Sequence, residues 1–278
     1  MRPPLSMVLA LFAALAGLVA PAAEEKKPSE TKIARSLSVA TFNILYLNRD
    51  LAALAATIRQ ANPDLIALQE TNAESERYLR SHLGTEYPHI FFRPSKDKSN
   101  GFGFLSRLPL GEAEFLGAAP DGRGGWMVET RLGATQVRVI SVHLTTPRLL
   151  GERPVTELIK AFGECEQIHR QELKPILGRI TPGRPTIILG DFNSFSFGAA
   201  VTTLVERGLI DSFASVTPNP EQHGTWRSSA LPALNQHAAV RLDYVLHDAS
   251  FKTLSSRVLK STASDHAMVI SKLEFVEP

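Results

Sequence analysis

The run Ile187-Ile188-Leu189-Gly190-Asp191-Phe192-Asn193 ends an apolar stretch on one carboxylate and one carboxamide. Residues i and i+2 of an extended segment point to the same side, so Asp191 and Asn193 are expected to leave the strand end together. That aims an acid and a neutral hydrogen-bonding group at one spot. Asp and Asn also form turns and Gly190 adds backbone freedom, so the run by itself reads equally well as a strand-to-turn junction. Five further runs repeat the pattern: Val39 to Asn43, Leu65 to Glu70, Val139 to His143, Arg241 to Val245 around Asp243, and Ser264-Asp265-His266. Each places polar, metal-binding or proton-transferring groups at the end of a β-rich segment.

With these motifs in this order, the chain resembles the endonuclease/exonuclease/phosphatase superfamily of metal-dependent phosphodiesterases. That group includes pancreatic-type deoxyribonucleases, neutral sphingomyelinases and inositol polyphosphate phosphatases. The resemblance runs from about residue 37 to residue 275. It implies an α/β (α+β) fold, a four-layer sandwich of two mixed β-sheets flanked by helices, with the site in a cleft at one edge.

A phosphodiester is anionic and resists attack by water, so its hydrolysis needs charge neutralisation, an in-line nucleophile and help for the leaving oxygen. A hard divalent cation, Mg²⁺ or Mn²⁺, answers the first need and takes one or two carboxylates while keeping its waters. Glu70 is the first metal ligand expected, because it ends an apolar strand where a lone carboxylate is costly; a helix N-terminal acid is the bland alternative. The resemblance places Asn43 beside that metal, where a turn or cap is the rival role, and makes Asp265 a further metal or metal-water contact. It implies Asp191 as activator of the attacking water and Asn193 as its orienter. His143 and His266 can each hydrogen-bond a nonbridging oxygen or transfer a proton. Asp243 is expected to fix the second ring nitrogen of His266, against the alternative of a surface acid. Phosphoester substrates bearing a nucleic acid or phospholipid group are both compatible, as is a non-enzymatic binding protein on an inactive scaffold.

Two departures bear on substrate. Abasic-site endonucleases of the superfamily carry tyrosine where His143 stands. Pancreatic-type deoxyribonucleases pair this histidine with an upstream acid, and the run from Ser99 to Phe104 holds no acid, leaving Asn100 as a substitute. Phe195 and Phe197 could dock a membrane but read better as core; Trp126 and Trp226 read better as packing residues than as substrate walls, Trp226 being the nearer to an exception. The other histidines, His82, His89, His169, His223, His237 and His247, read as surface or satisfied structural residues.

Positioning such groups takes alternating elements. Strands are expected near 37–44, 64–69, 89–93, 101–106, 112–117, 125–131, 136–144, 185–190, 241–247 and 267–275, with helices near 49–61, 73–83, 155–180 and 197–207. Asn62-Pro63-Asp64 breaks the first helix. Mixed helix and strand order with consecutive hairpins implies packed sheets flanked by helices.

The chain has 278 residues, which suits one large domain, and no Pro/Gly/Ser-rich linker interrupts it after residue 36. Met1-Arg2, an apolar run from Leu5 to Val19 and the small residues Ala20-Pro21-Ala22-Ala23 form a signal peptide over 1–23. Residues 24–36 are a polar, disordered lead, and the domain covers 37–278. The expected location is therefore periplasmic or extracellular, and the expected state is a monomer. Cys165 is the single cysteine, so no intramolecular disulfide forms. Removing the signal takes away only Arg2 from a net charge of +2, and that near-neutral balance gives no broad footprint for nucleic acid.

Overall fold

The computed structural model describes residues 35–93, 95, 98–117, 123–147, 155–227 and 240–276. The expected signal peptide and the expected lead up to Ile33-Ala34 lie outside the described residues, as does His237. Among the described residues, the strands are β1 (Ser36–Asn43), β2 (Leu65–Gln69), β3 (His89–Arg93), β4 (Phe102–Ser106), β5 (Glu114–Leu116), β6 (Gly124–Leu132), β7 (Thr135–His143), β8 (Thr186–Asp191), β9 (Ile210–Asp211), β10 (Asp243–His247), β11 (Phe251–Leu259) and β12 (Met268–Phe275). The helices are α1 (Leu51–Ala61), α2 (Ala73–Leu83), α3 (Val155–Leu177), α4 (Ala199–Glu206) and α5 (Ser212–Val216).

One six-stranded sheet has the order β11-β12-β1-β2-β4-β3 and the other β5-β6-β7-β8-β10-β9. Both are mixed: β1 and β2 run parallel, as do β7 and β8, and the remaining pairs are antiparallel. Val39, Leu65, Ala67 and Phe104 of the first sheet pack against Val139, Ile187, Leu189 and Val245 of the second. Alternate residues turn outward: Ala40, Phe42, Ile66 and Leu68 meet Leu54 and Ile58 of α1 and Leu79 and Leu83 of α2. Ile140, Val142 and Ile188 meet Leu173 and Ile176 of α3 and Leu204 of α4. Central strands buried on both faces explain their near-continuous apolar runs. Each fully buried Leu, Ile or Val adds roughly 1.5–3 kcal/mol.

Local chemistry sets the helix ends. Asn62 closes α1 in the left-handed conformation, φ 54°, before Pro63. Asn72 and Ser75 form a reciprocal capping box on α2. The strand β11 falls where no strand is expected from the sequence. Its run Lys252-Thr253-Leu254-Ser255-Ser256-Arg257 is polar because β11 is an edge strand, and a register shift between Thr253 and Ser255 breaks its alternation. The short β9 and α5 were likewise hidden by their length. Among the described residues, no helix is long and apolar enough to cross a membrane.

Candidate active site

The inner face of each central strand is apolar at depth and turns polar at one edge of the sandwich. On β1 the inward series is Val39, Thr41, Asn43; on β2, Leu65, Ala67, Gln69; on β7, Val139, Ser141, His143; on β8, Ile187, Leu189, Asp191. The register pairs Asn43 with Gln69, His143 with Asp191, and Asp243 with Asp191. The strand-end residues therefore meet in one row. Beneath them, Thr41 Oγ1 donates to Gln69 Oε1 at 3.1 Å and Gln69 Nε2 donates to Ser141 Oγ at 3.1 Å, a buried link between the sheets.

Glu70 follows Gln69 and would point outward by simple alternation. A left-handed backbone, φ 58°, turns it back into the row. Asn43 Nδ2 donates to Glu70 Oε1 at 3.1 Å and to Asp191 Oδ2 at 3.0 Å, while Tyr46 N donates to Glu70 Oε2 at 3.1 Å. Asn43 Oδ1 accepts from Leu45 N. The amide thus shows its NH₂ side to both carboxylates and bridges them.

Asp191 Oδ2 is the focus of the site. Besides Asn43, it lies 3.7 Å from His143 Nε2 and 3.7 Å from His266 Nε2. His266 Nδ1 donates to Asp243 Oδ2 at 2.9 Å, which orients the ring and leaves Nε2 aimed at Asp191. Thr225 Oγ1 accepts from the backbone N–H groups of Leu242 and Asp243 and seats that strand end. Ser264 Oγ donates to the Asn43 carbonyl at 2.8 Å, tying the His266 turn to β1. Asp265 is exposed, and its Oδ2 accepts from Trp226 Nε1 at 3.1 Å. Trp226 therefore borders the site, 6.4 Å ring to ring from His266.

The electrostatics follow from burial. Burial pushes the Asp191 carboxyl up to about 7, with nearby His266 acting in the opposite direction. Burial alone would lower His266, but Asp243 and Asp191 beside it push it up to about 10. Burial holds His143 well below its ordinary value, and Arg123 and His266 add to the effect. Arg123 Nη1 donates to His143 Nε2 at 3.0 Å, so the neutral ring carries its proton on Nδ1. That Nδ1 is buried without a hydrogen-bond partner, so Asn100 does not take the place of an upstream acid.

Glu70 and Asp265 suit a hard divalent cation. Burial raises Glu70, and the charge of Asp265 raises it further, so two carboxylates repel at the rim of the row. Both offer oxygen, the donor that Mg²⁺ and Mn²⁺ prefer. The group with metal-like spacing among the described residues is Asp191, Asp243 and His266, whose ligand atoms lie within 4.8 Å of one another. There the Nδ1 proton of His266 already joins two members, which reads as a hydrogen-bonded relay.

Three residues stand differently from the sequence expectation. Asn193 adopts φ 46°, so alternation ends at Asp191 and the two do not leave the strand side by side. The Asn193 backbone N–H donates to Asp191 Oδ1 at 2.9 Å and its Nδ2 donates to the Leu144 carbonyl at 3.0 Å. Phe195 and Phe197 are not core: their rings stack at 5.2 Å, and Phe197 is 77% exposed. Arg123 joins the site although no strand-end motif marks it in the sequence. His169 and His247 are buried and hydrogen-bonded, as structural histidines should be.

The fold is an α/β sandwich of two mixed six-stranded sheets with a row of polar strand-end residues at one edge. The chain belongs to the endonuclease/exonuclease/phosphatase family, whose model matches residues 40–266 and whose members are commonly metal-dependent phosphodiesterases and nucleases. Similar solved structures include an endonuclease/exonuclease/phosphatase from Beutenbergia cavernae, with a TM-score of 0.68 and 21% identity over 87% of this chain and 72% of that one. A family protein from Leptotrichia buccalis has a TM-score of 0.64 and 20% identity over 86% of this chain and all of its own, 100%. TDP2 of D. rerio, humanized by 14 mutations, has a TM-score of 0.65 and 16% identity over 86% and 99% of the two chains. At these identities the likeness is one of fold. No curated protein matches the sequence.

Proposed function

We propose that the protein is an exported, Mg²⁺- or Mn²⁺-dependent hydrolase of phosphoric esters, a phosphodiesterase acting by in-line attack of water. The observation that carries this reading is the convergence of Asn43, His143 and His266 on Asp191 Oδ2, with Asp243 behind His266. Export rests on the basic, apolar and small-residue pattern of residues 1–23.

Glu70 and Asp265 would hold the cation, which when bound supplies charge neutralisation to the phosphoryl oxygens. Asp191 accepts the proton of the attacking water through Oδ2, and the Asn43 amide holds that carboxylate in place. His266, oriented by Asp243, presents Nε2 to a nonbridging or leaving oxygen. Arg123 adds a guanidinium beside His143, where charge builds on the phosphoryl group. Trp226 holds Asp265 from the outer side.

Hydrolysis of bis(4-nitrophenyl) phosphate that needs Mg²⁺ or Mn²⁺ supports this reading, and metal binding without turnover supports a binding protein instead. A panel of DNA, RNA, sphingomyelin, phosphoinositides and nucleotides then separates nuclease from lipid phosphodiesterase.

A further inference from the structure

Three buried side chains on one face of α3 converge on a single residue of the loop that leaves β7. Glu172 Oε2 accepts from the Thr145 backbone N–H at 3.0 Å, and Glu172 Oε1 accepts from Thr145 Oγ1 at 2.6 Å. His169 Nε2 donates to the Thr145 carbonyl at 2.7 Å, and Cys165 Sγ donates to the same oxygen at 3.5 Å. Glu172 and His169 are each 1% exposed, and neither touches the reacting groups. A buried glutamate and histidine are expensive unless something needs their hydrogen bonds.

The residue before Thr145 shows what that is. Leu144 N donates to the Asp191 carbonyl at 3.1 Å. The Leu144 carbonyl accepts from Asn193 Nδ2 at 3.0 Å and from Arg123 Nη1 at 3.1 Å. Arg123 in turn donates to His143 Nε2. Leu144, through its N–H and its carbonyl, therefore sets the places of Asn193 and Arg123 relative to Asp191 and His143, and Thr145 is its anchor.

We propose that Glu172 and His169 are positioning residues for phosphoester hydrolysis: by clamping Thr145 they hold the Leu144 carbonyl where Arg123 and Asn193 must meet it. The proposal rests on the function proposed above.

The test uses full-length protein with Mn²⁺ and bis(4-nitrophenyl) phosphate, comparing Glu172→Ala, Glu172→Gln and Leu173→Ala. Leu173→Ala opens a cavity in the same helix without touching Thr145, so it reports on loss of packing alone. Glu172→Ala is expected to lower kcat at least about tenfold, with KM and Mn²⁺ affinity within about twofold of wild type. Glu172→Gln should recover most of the loss, because its oxygen accepts from the Thr145 N–H and the hydroxyl can rotate to accept from its NH₂. Leu173→Ala should lower Tm and leave kcat near wild type. A kcat that tracks Tm across all three variants, or a Gln variant no better than Ala, overturns the clamp. Should Glu172→Ala not fold, Thr145→Val carries the same expectation at smaller size, and an unchanged kcat in it overturns the clamp as well. Imidazole ¹⁵N shifts of His143, assigned with His143→Ala, give a readout without turnover. A wild type with no hydrolysis removes the functional reading, and the clamp then stands if Glu172→Ala or Thr145→Val moves the His143 resonances while Leu173→Ala does not, and falls otherwise.

Discussion

Asn43 and Asp191 are 148 residues apart in sequence, yet Asn43 Nδ2 donates to Asp191 Oδ2 at 3.0 Å across the junction of the two sheets. The same nitrogen reaches Glu70, so one amide joins the Glu70 and Asp191 carboxylates. Removing it leaves the half-buried Glu70 and the buried Asp191 carboxylates facing each other with no donor between them. Asn43→Ala should lower turnover at least about a hundredfold and cost about 1–3 kcal/mol of stability through unsatisfied acceptors. Steady-state kinetics beside a urea melt check both, and unchanged kinetics would remove Asn43 from the site.

Chelation with EDTA should abolish hydrolysis and Mg²⁺ or Mn²⁺ should restore it, because Glu70 and Asp265 bring negative charge, which cannot balance a phosphoryl group. Glu70→Gln should then weaken metal affinity and recover in part at high Mg²⁺. Full activity of a metal-free preparation would sink this mechanism.

Replacing His143, Asp191 or His266 with Ala should lower turnover at least about a hundredfold, the low end for a lost acid, base or transition-state donor. Circular dichroism should remain that of the wild type, since the apolar layer between the sheets lies below these residues. Near wild-type turnover in any of the three would dismiss its assigned role.

Stability should fall in mild acid through His247, which lies far from the site chemistry. Its Nδ1–H donates to the Asp248 carbonyl and its Nε2 accepts from Thr253 Oγ1, so the folded state holds the neutral ring. Burial lowers its pKa below the ordinary 6.5. The unfolded chain therefore binds the proton first as pH falls. The stabilisation is full above pH 6.5 and is lost below it until the folded ring also titrates. His169, lowered chiefly by burial, acts in the same direction. Tm measured between about pH 8 and pH 5 should fall less for His247→Gln than for wild type. Parallel curves would contradict the assignment.

Expressed full-length, the protein should be recovered outside the inner membrane with a new N-terminus between about residue 20 and residue 25. An intact Met1 on cytoplasmic protein would refute export and return intracellular phosphoesters to the list of substrates.

The sequence alone singled out the polar residues that end the central strands. Strand periodicity is local, so the inward series Val39-Thr41-Asn43 and Val139-Ser141-His143 could be read as apolar rows ending in polar groups; the order of elements implied packed sheets flanked by helices, and the family resemblance implied two sheets face to face. Tertiary structure decided how the groups meet. Glu70 enters the row only because its backbone turns left-handed, and Asn193 leaves Asp191 for the same reason. Asn43 shows its NH₂ side inward because two carboxylates from different sheets compete for it. Arg123 and the Glu172–His169 clamp bear no motif, since their partners, His143 and Thr145, lie some twenty residues or more away along the chain. The edge strand β11 stayed hidden because a polar, exposed face masks the alternation that one buried side creates. Pairing across long sequence separations is settled by sheet register and packing, which no local pattern encodes.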